Sequence, residues 1–144
     1  MPGTESLIRE LADRTALADL VARHSLWVDE HQYDETGRLF TDDVVVTSPR
    51  GQARGIEALI ELVGSRHGEL AATLHSKSNL VIDIDGDSAT VRAHDVAVFA
   101  VDDKKEAIAA GVHHYNARRT GEGWRFDRLD IIPFALTESL ERAL

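Results

Sequence analysis

The chain contains no cysteine, which removes disulfides, thiolate nucleophiles and zinc–thiolate centres together. It also has no apolar run approaching the roughly 18 residues needed to cross a bilayer, so no membrane-spanning segment is expected. The opening Met1-Pro2-Gly3-Thr4-Glu5-Ser6 has no basic stretch followed by an apolar one, so no signal peptide is expected either. With neither leader nor cysteine, the cytoplasm is the expected compartment. Positive charge is scarce: 16 Lys and Arg stand against 25 Asp and Glu, a formal charge of −9. A phosphate backbone would be repelled on average, and no basic cluster with interleaved aromatics offsets this, so nucleic acid is not an expected partner.

Motifs for bound nucleotides and nucleophiles are missing too. There is no G-x-G-x-x-G, no G-x-x-x-x-G-K-[ST] and no G-x-S-x-G elbow, so neither a nucleotide cofactor nor a serine triad has support. Asp83-x-Asp85-Gly86-Asp87 faintly resembles a calcium loop but lacks its spacing and terminal Glu; it reads as a turn. No internal repeat or low-complexity linker divides the 144 residues, so residues 1–144 read as a single domain.

What remains is a change of period, from helical to strand. Thr4–Leu11 predicts a short helix, and a longer one follows from Asp13, as N-cap, to Glu30. At ~100° per residue, Leu17, Leu20, Val21, His24, Trp27 and Val28 share one face. A second stripe, Ala18, Ala22, Ser25 and Asp29, is either a helix edge in solvent or the back of a cavity. Tyr33–Phe40 predicts another short helix, Val44–Thr47 a strand, and Gly55–His67 a third helix with Gly64 and Gly68 near its end. Ala72–Ile84 and Ala89–Val101 flank the turn Asp85-Gly86-Asp87-Ser88. Glu106–Arg119 and Trp124–Phe134 flank Thr120-Gly121-Glu122-Gly123. Helices first and antiparallel hairpins second imply α+β, with N-terminal helices covering one face of a curved, mostly antiparallel sheet that encloses a pocket where the helices do not fill its concavity.

Histidines and carboxylates carry the candidate chemistry. Strand alternation puts Thr73, His75, Lys77 and Asn79 on one face, which is either solvent-facing or a polar pocket wall. His113 and His114 are adjacent in a strand and point to opposite faces, with Gly111, His113 and Tyr115 together. The face of His94 is undecided; His24 reads as a hydrogen-bonded core residue, and His31 and His67 as loop or helix-end residues. No H-x-H or H-x-x-x-H spacing supports a metal site, and none is expected.

Several of these segments have a familiar order. Trp27-Val28-Asp29-Glu30-His31-Gln32-Tyr33-Asp34, then Arg38-Leu39-Phe40 and Asp42-Asp43 before a strand, resembles the opening of SnoaL-like proteins of the nuclear-transport-factor-like cone superfamily. Thr73-Leu74-His75 with Asn79-Leu80 and Asp85-Gly86-Asp87 resembles its middle, and Trp124-Arg125-Phe126 its final hairpin. Among catalytic members the chain resembles scytalone dehydratase and hexachlorocyclohexane dehydrochlorinase, in which an Asp at the end of the long helix orients a strand His. The resemblance carries those roles to Asp29 and His75 and implies that both face a pocket, within hydrogen-bond reach. His113 falls at a polar substrate-contacting position of the dehydratase. That enzyme's second histidine falls near Ala100, and the arginine of the dehydrochlorinase near Leu129, so neither family substrate carries over. The expectation is a cofactor-independent lyase or isomerase, dehydratase-like, acting on a small apolar molecule. His75 and Asp29 would be catalytic, and His113, Tyr115, Trp27 and Asn79 substrate-binding. A polyketide-type cyclase and a non-catalytic ligand-binding or accessory subunit are the alternatives. Related cones also imply a homodimer or homotrimer.

Overall fold

The computed structural model describes residues 3–67 and 72–137; Gly68, expected near the end of the third helix, lies outside them. The first element, α1, runs unbroken from Thr4 to Asp29, which corrects the expected break at Asp13. Asp13 is not a cap. It sits in mid-helix, where its two carboxylate oxygens accept from Arg119 Nη1 and Nη2, each at 2.8 Å, and one also accepts from Trp124 Nε1 at 3.1 Å. The Arg119 guanidinium lies 4.5 Å from the Trp124 ring centroid. A carboxylate that reads locally as a helix start is thus a long-range pin, holding the helix to two strands through a bidentate, charge-assisted pair.

The end of α1 is well defined. His31 takes a left-handed φ of 53°. The Gln32 N–H then donates to Trp27 O at 3.0 Å and the His31 N–H to Val28 O at 3.4 Å, a Schellman closure with His where Gly is usual. This stop fixes Asp29 in the last helical turn. A 3-10 turn (Tyr33–Glu35) and the short α2 (Thr36–Leu39) follow, so Phe40, expected in a helix, begins a strand instead.

Six strands make one sheet: β1 (Phe40–Ser48), β2 (Gly51–Arg54), β3 (Ala72–Asp85), β4 (Ser88–Ala100), β5 (Glu106–Thr120) and β6 (Gly123–Leu136). Their spatial order is β2-β1-β6-β5-β4-β3, parallel only between β1 and β6. The architecture is α+β, with the mostly antiparallel sheet curled against the helices. The edge strand β2 has no apolar alternation to announce it. α3 (Ile56–His67) starts one residue later than expected, because Gly55, at φ 87°, makes the turn out of β2. Both expected hairpins form.

The apolar stripe of α1 is buried throughout, from Leu17 to Val28, and meets Phe40, Val44, Leu59, Val91, Phe126 and Leu129 from the sheet and α3. Burial at roughly 25 cal/mol per Å² of apolar surface holds the helix in the concave side of the sheet. The helix does not fill that concavity along its whole length, and the vacant part carries the site.

Candidate functional site

A cavity of about 510 Å³ lies inside the curl. Its wall is largely aliphatic and aromatic, including Trp27, Leu59, Leu62, Phe99 and Ile131, and its polar lining residues are His24, Ser48, Arg50, His75, Asp95 and His113. A mostly apolar pocket with a few convergent polar groups is the usual form of a small-molecule site.

A β-bulge in β3 sets which groups enter. Ser78 pairs with His94 and Val81 with Arg92, so Asn79 and Leu80 together oppose one residue of β4. Asn79 takes a left-handed φ of 52°, which Asn tolerates better than most residues. The extra residue inverts the alternation. Thr73, His75 and Lys77 face inward above the bulge, and Leu80, Ile82 and Ile84 face inward below it. Asn79 is therefore exposed and does not join the cavity, which corrects its expected place beside His75. The bulge also shifts the register so that Lys77 opposes Asp95 rather than Val96.

His75 and Asp29 meet across the helix–strand interface. His75 Nδ1 is 2.6 Å from Asp29 Oδ1, the His75 backbone N–H donates to Oδ2 at 2.9 Å, and Thr73 Oγ1 donates to Oδ1 at 2.9 Å. Three donors fix the carboxylate, and it fixes the ring: Nδ1 carries the proton and Nε2 is the basic nitrogen. Burial pushes the Asp29 carboxyl upward. The bonds from the His75 ring and backbone and from Thr73 outweigh that, and its pKa lies below the ordinary value. Asp29 does not itself line the cavity, which corrects the expectation that both residues face it: it stands behind His75, which lines the cavity with Phe99 edge-on at 5.6 Å.

A second polar group was only partly visible in the sequence. The Lys77 ammonium donates to Asp95 Oδ1 at 2.8 Å and to Ser25 Oγ at 2.9 Å. Asp95 Oδ2 faces His113 Nε2 at 3.5 Å. On the far side of that ring, His113 Nδ1 is 3.2 Å from the Tyr115 hydroxyl, which is 2.7 Å from His24 Nδ1. Burial pushes the His113 pKa down to about 3, with Lys77 and His75 acting the same way and Asp95 opposing. Burial also holds His24 neutral and raises the Tyr115 hydroxyl well above its usual range. Burial lowers the Lys77 pKa against the pull of Asp95.

Of the expected substrate-binding residues, His113 and Trp27 line the cavity. The Trp27 indole N–H is used internally, donating to Thr36 Oγ1 at 2.8 Å, so only its ring is presented. Tyr115 does not line the cavity, a correction: it is fully buried behind His113, its ring 4.3 Å from that of Phe126. His114 is exposed, and His94 falls on the outer face with Arg92. A lone Asp in a strand carries no signal until the bulge sets its partner, so the sequence does not point to Asp95; Lys77 shares the strand face of His75 and Ser25 the helix stripe of Asp29, but spacing alone gives neither a role. Among the described residues, no group of three or more His, Asp or Glu is arranged to hold a metal ion.

The SnoaL-like domain profile matches residues 9–130. An uncharacterized protein of Mycobacterium tuberculosis is 25% identical over 126 residues, covering 84% of this chain and 85% of that protein. Among solved structures, the hexachlorocyclohexane dehydrochlorinase LinA-type3 from Novosphingobium barchaimii superposes with a TM-score of 0.83 at 22% identity, covering 92% of this chain and 93% of that one. A candidate scytalone dehydratase from Novosphingobium aromaticivorans superposes with a TM-score of 0.81 at 22% identity, covering 90% and 89%. At such identities the structural likeness speaks for the fold.

Proposed function

The chain belongs to the SnoaL-like domain family, and from that premise we propose that it is an acid/base lyase or isomerase, dehydratase-like, acting on a small apolar molecule through His75 and Asp29. The observation that supports this reading best is the 2.6 Å contact between Asp29 Oδ1 and the Nδ1 of a histidine that lines an apolar cavity. His75 Nε2 takes a proton from a substrate carbon. The C–H electron pair becomes the new C=C bond and the bond to the leaving group on the adjacent carbon breaks. Where hydroxide leaves, the imidazolium returns the proton and the product is water. Asp29 holds the tautomer and offsets the charge on the ring as it forms. Elimination of this kind draws on proton transfer alone and calls for no cofactor.

The names of the two solved neighbours, a dehydrochlorinase and a candidate dehydratase, both denote eliminations, which favours this chemistry over a cyclase. We further infer assembly with copies of the same chain through the outer sheet face. Leu74, Val98 and Ile108 lie in register across three strands there and are each 40% exposed or more.

The test is a panel of small apolar ketones bearing a β-hydroxyl or β-halogen, followed by NMR in D₂O for elimination and for deuterium uptake at carbon. Wild type is expected to turn over at least one member and His75→Ala none. Wild-type turnover in His75→Ala overturns the assignment of the base.

A further inference from the structure

We propose that Asp95 and His113 form a hydroxyl-recognition subsite in the cavity, selecting neutral ligands that carry an alcohol or phenol O–H. This deepens the reading above by naming a substrate class for the same cavity, and rests on it only in requiring that the cavity admit a ligand.

Proton placement is the first argument. A carboxylate oxygen faces His113 Nε2 at 3.5 Å, so that nitrogen carries the proton. Nδ1 of the same ring must then accept, and the group beside it is the Tyr115 O–H at 3.2 Å. The phenol oxygen accepts in turn from His24 Nδ1–H at 2.7 Å. Every member of this relay is buried, and Tyr115 at its centre is fully enclosed. His113 is held as a neutral donor at the cavity wall. On the other side, Lys77 occupies Asp95 Oδ1 at 2.8 Å and leaves Oδ2 as the oxygen toward His113.

The second argument is the gap. At 3.5 Å the Asp95–His113 contact is too long for a strong hydrogen bond, while the Lys77–Asp95 contact beside it is 2.8 Å. Both side chains line the cavity. One oxygen placed about 2.8 Å from each atom can accept from Nε2–H and donate to Oδ2. Only a group that both accepts and donates satisfies the pair. An ether or carbonyl would set its lone pairs against the carboxylate. A carboxylate ligand would be repelled by Asp95, and an ammonium by the His113 N–H and by Lys77.

The experiment is isothermal titration with two matched probes, 2-naphthol and 2-methoxynaphthalene, on wild type, His113→Phe and the double variant Lys77→Met/Asp95→Leu. The double variant removes the buried ion pair as a unit, so no charge is stranded. Wild type is expected to favour 2-naphthol by about 10- to 100-fold, the range of a charge-assisted hydrogen bond. Both variants are expected to bind the two probes alike, with 2-methoxynaphthalene held about as in wild type. Thermal unfolding checks that each variant folds; if the double variant does not, wild type and His113→Phe decide. Equal affinities in wild type, or a preference that survives in the folded variants, overturn the subsite and leave the His75–Asp29 reading standing. If wild type binds neither probe, the subsite falls together with the ligand cavity.

Discussion

Lowering the pH from 7 to 5 charges histidines in the unfolded chain that the folded chain keeps neutral. His113 is held at about 3 against an ordinary 6.5, and the groups facing it are Lys77, Asp95, His75, His24 and Tyr115. Between those two values the unfolded state binds a proton that the native state does not. Stability therefore rises with pH across the window and is lost as pH falls through it, by about 1.4 kcal/mol per unit. From 6.5 down to pH 5 the loss is about 2 kcal/mol for His113 alone. His24 shifts in the same direction, mainly through burial, and adds to the loss. His113 alone thus removes a sizeable part of a total that is typically about 5–15 kcal/mol. The carboxylates Asp13 and Asp29, whose values are lowered, are lost as stabilising partners only as pH falls below their ordinary value near 4, outside the window. Urea unfolding followed by the fluorescence of Trp27 and Trp124 reads the effect directly. With a slope of about 2 kcal/mol per molar, His113 should lower the midpoint by about 1 M between pH 7 and pH 5, and the His24 shift adds to this. His113→Gln should give a clearly smaller shift than wild type. Coincident wild-type midpoints at the two pH values would refute the buried-neutral assignment.

Asp29→Asn keeps the shape of the helix end but removes the charge behind His75; kcat on whatever substrate the panel identifies should fall by about 10²–10⁴, with ligand affinity near wild type by calorimetry. Asn79→Val should destabilise by about 1–2 kcal/mol in chemical denaturation while Asn79→Gly is near neutral, because only the β-branched residue resists the left-handed bulge. Gly111→Ala should weaken the β5–β6 pairing by about 1–3 kcal/mol in the same assay, since a Cβ there would collide with the backbone oxygen of Ile132. On the proposed assembly, Ile108→Lys on the outer sheet face should lower the mass in light scattering toward that of one chain; an unchanged mass would refute an interface at this face.

Much of the fold was legible because local signals agreed with it. The α1 stripe from Leu17 to Val28 follows one helical face, and both hairpins are marked by turn residues at the right spacing. The misses share a cause. Asp13 reads as a cap from its neighbours alone, yet its partners Arg119 and Trp124 stand more than a hundred residues away in sequence. A bulge is a one-residue event without a distinctive signature. Strict alternation carried past Ser78 therefore put Asn79 into the pocket and left Asp95 without a partner. The family resemblance brought Asp29 and His75 together, because it preserves long-range pairings that periodicity cannot supply. It carried no information about Lys77 and Asp95, whose meeting depends on the bulge.

The charge of the buried polar set bears on which eliminations suit the cavity. Asp29 and Asp95 supply two carboxylates against the single ammonium of Lys77, while His24 and His113 stay neutral. The set therefore carries one net negative charge before reaction, and a proton arriving on His75 cancels it. That favours proton abstraction, since low polarity makes an uncompensated charge expensive. Near Asp95 the same balance disfavours an anion left on the substrate: its carboxylate stands at the wall, its lysine is engaged, and the donor facing it is the neutral His113 N–H. On the proposed reading, a long-lived enolate is poorly supported and a reaction in which the leaving group departs as the proton is removed is well supported. A substrate with a good leaving group next to the acidic carbon should then be turned over fastest, and an enolisable ketone lacking one should exchange deuterium slowly. Rapid exchange without elimination would place the negative charge on the substrate after all and would move the chemistry toward isomerisation.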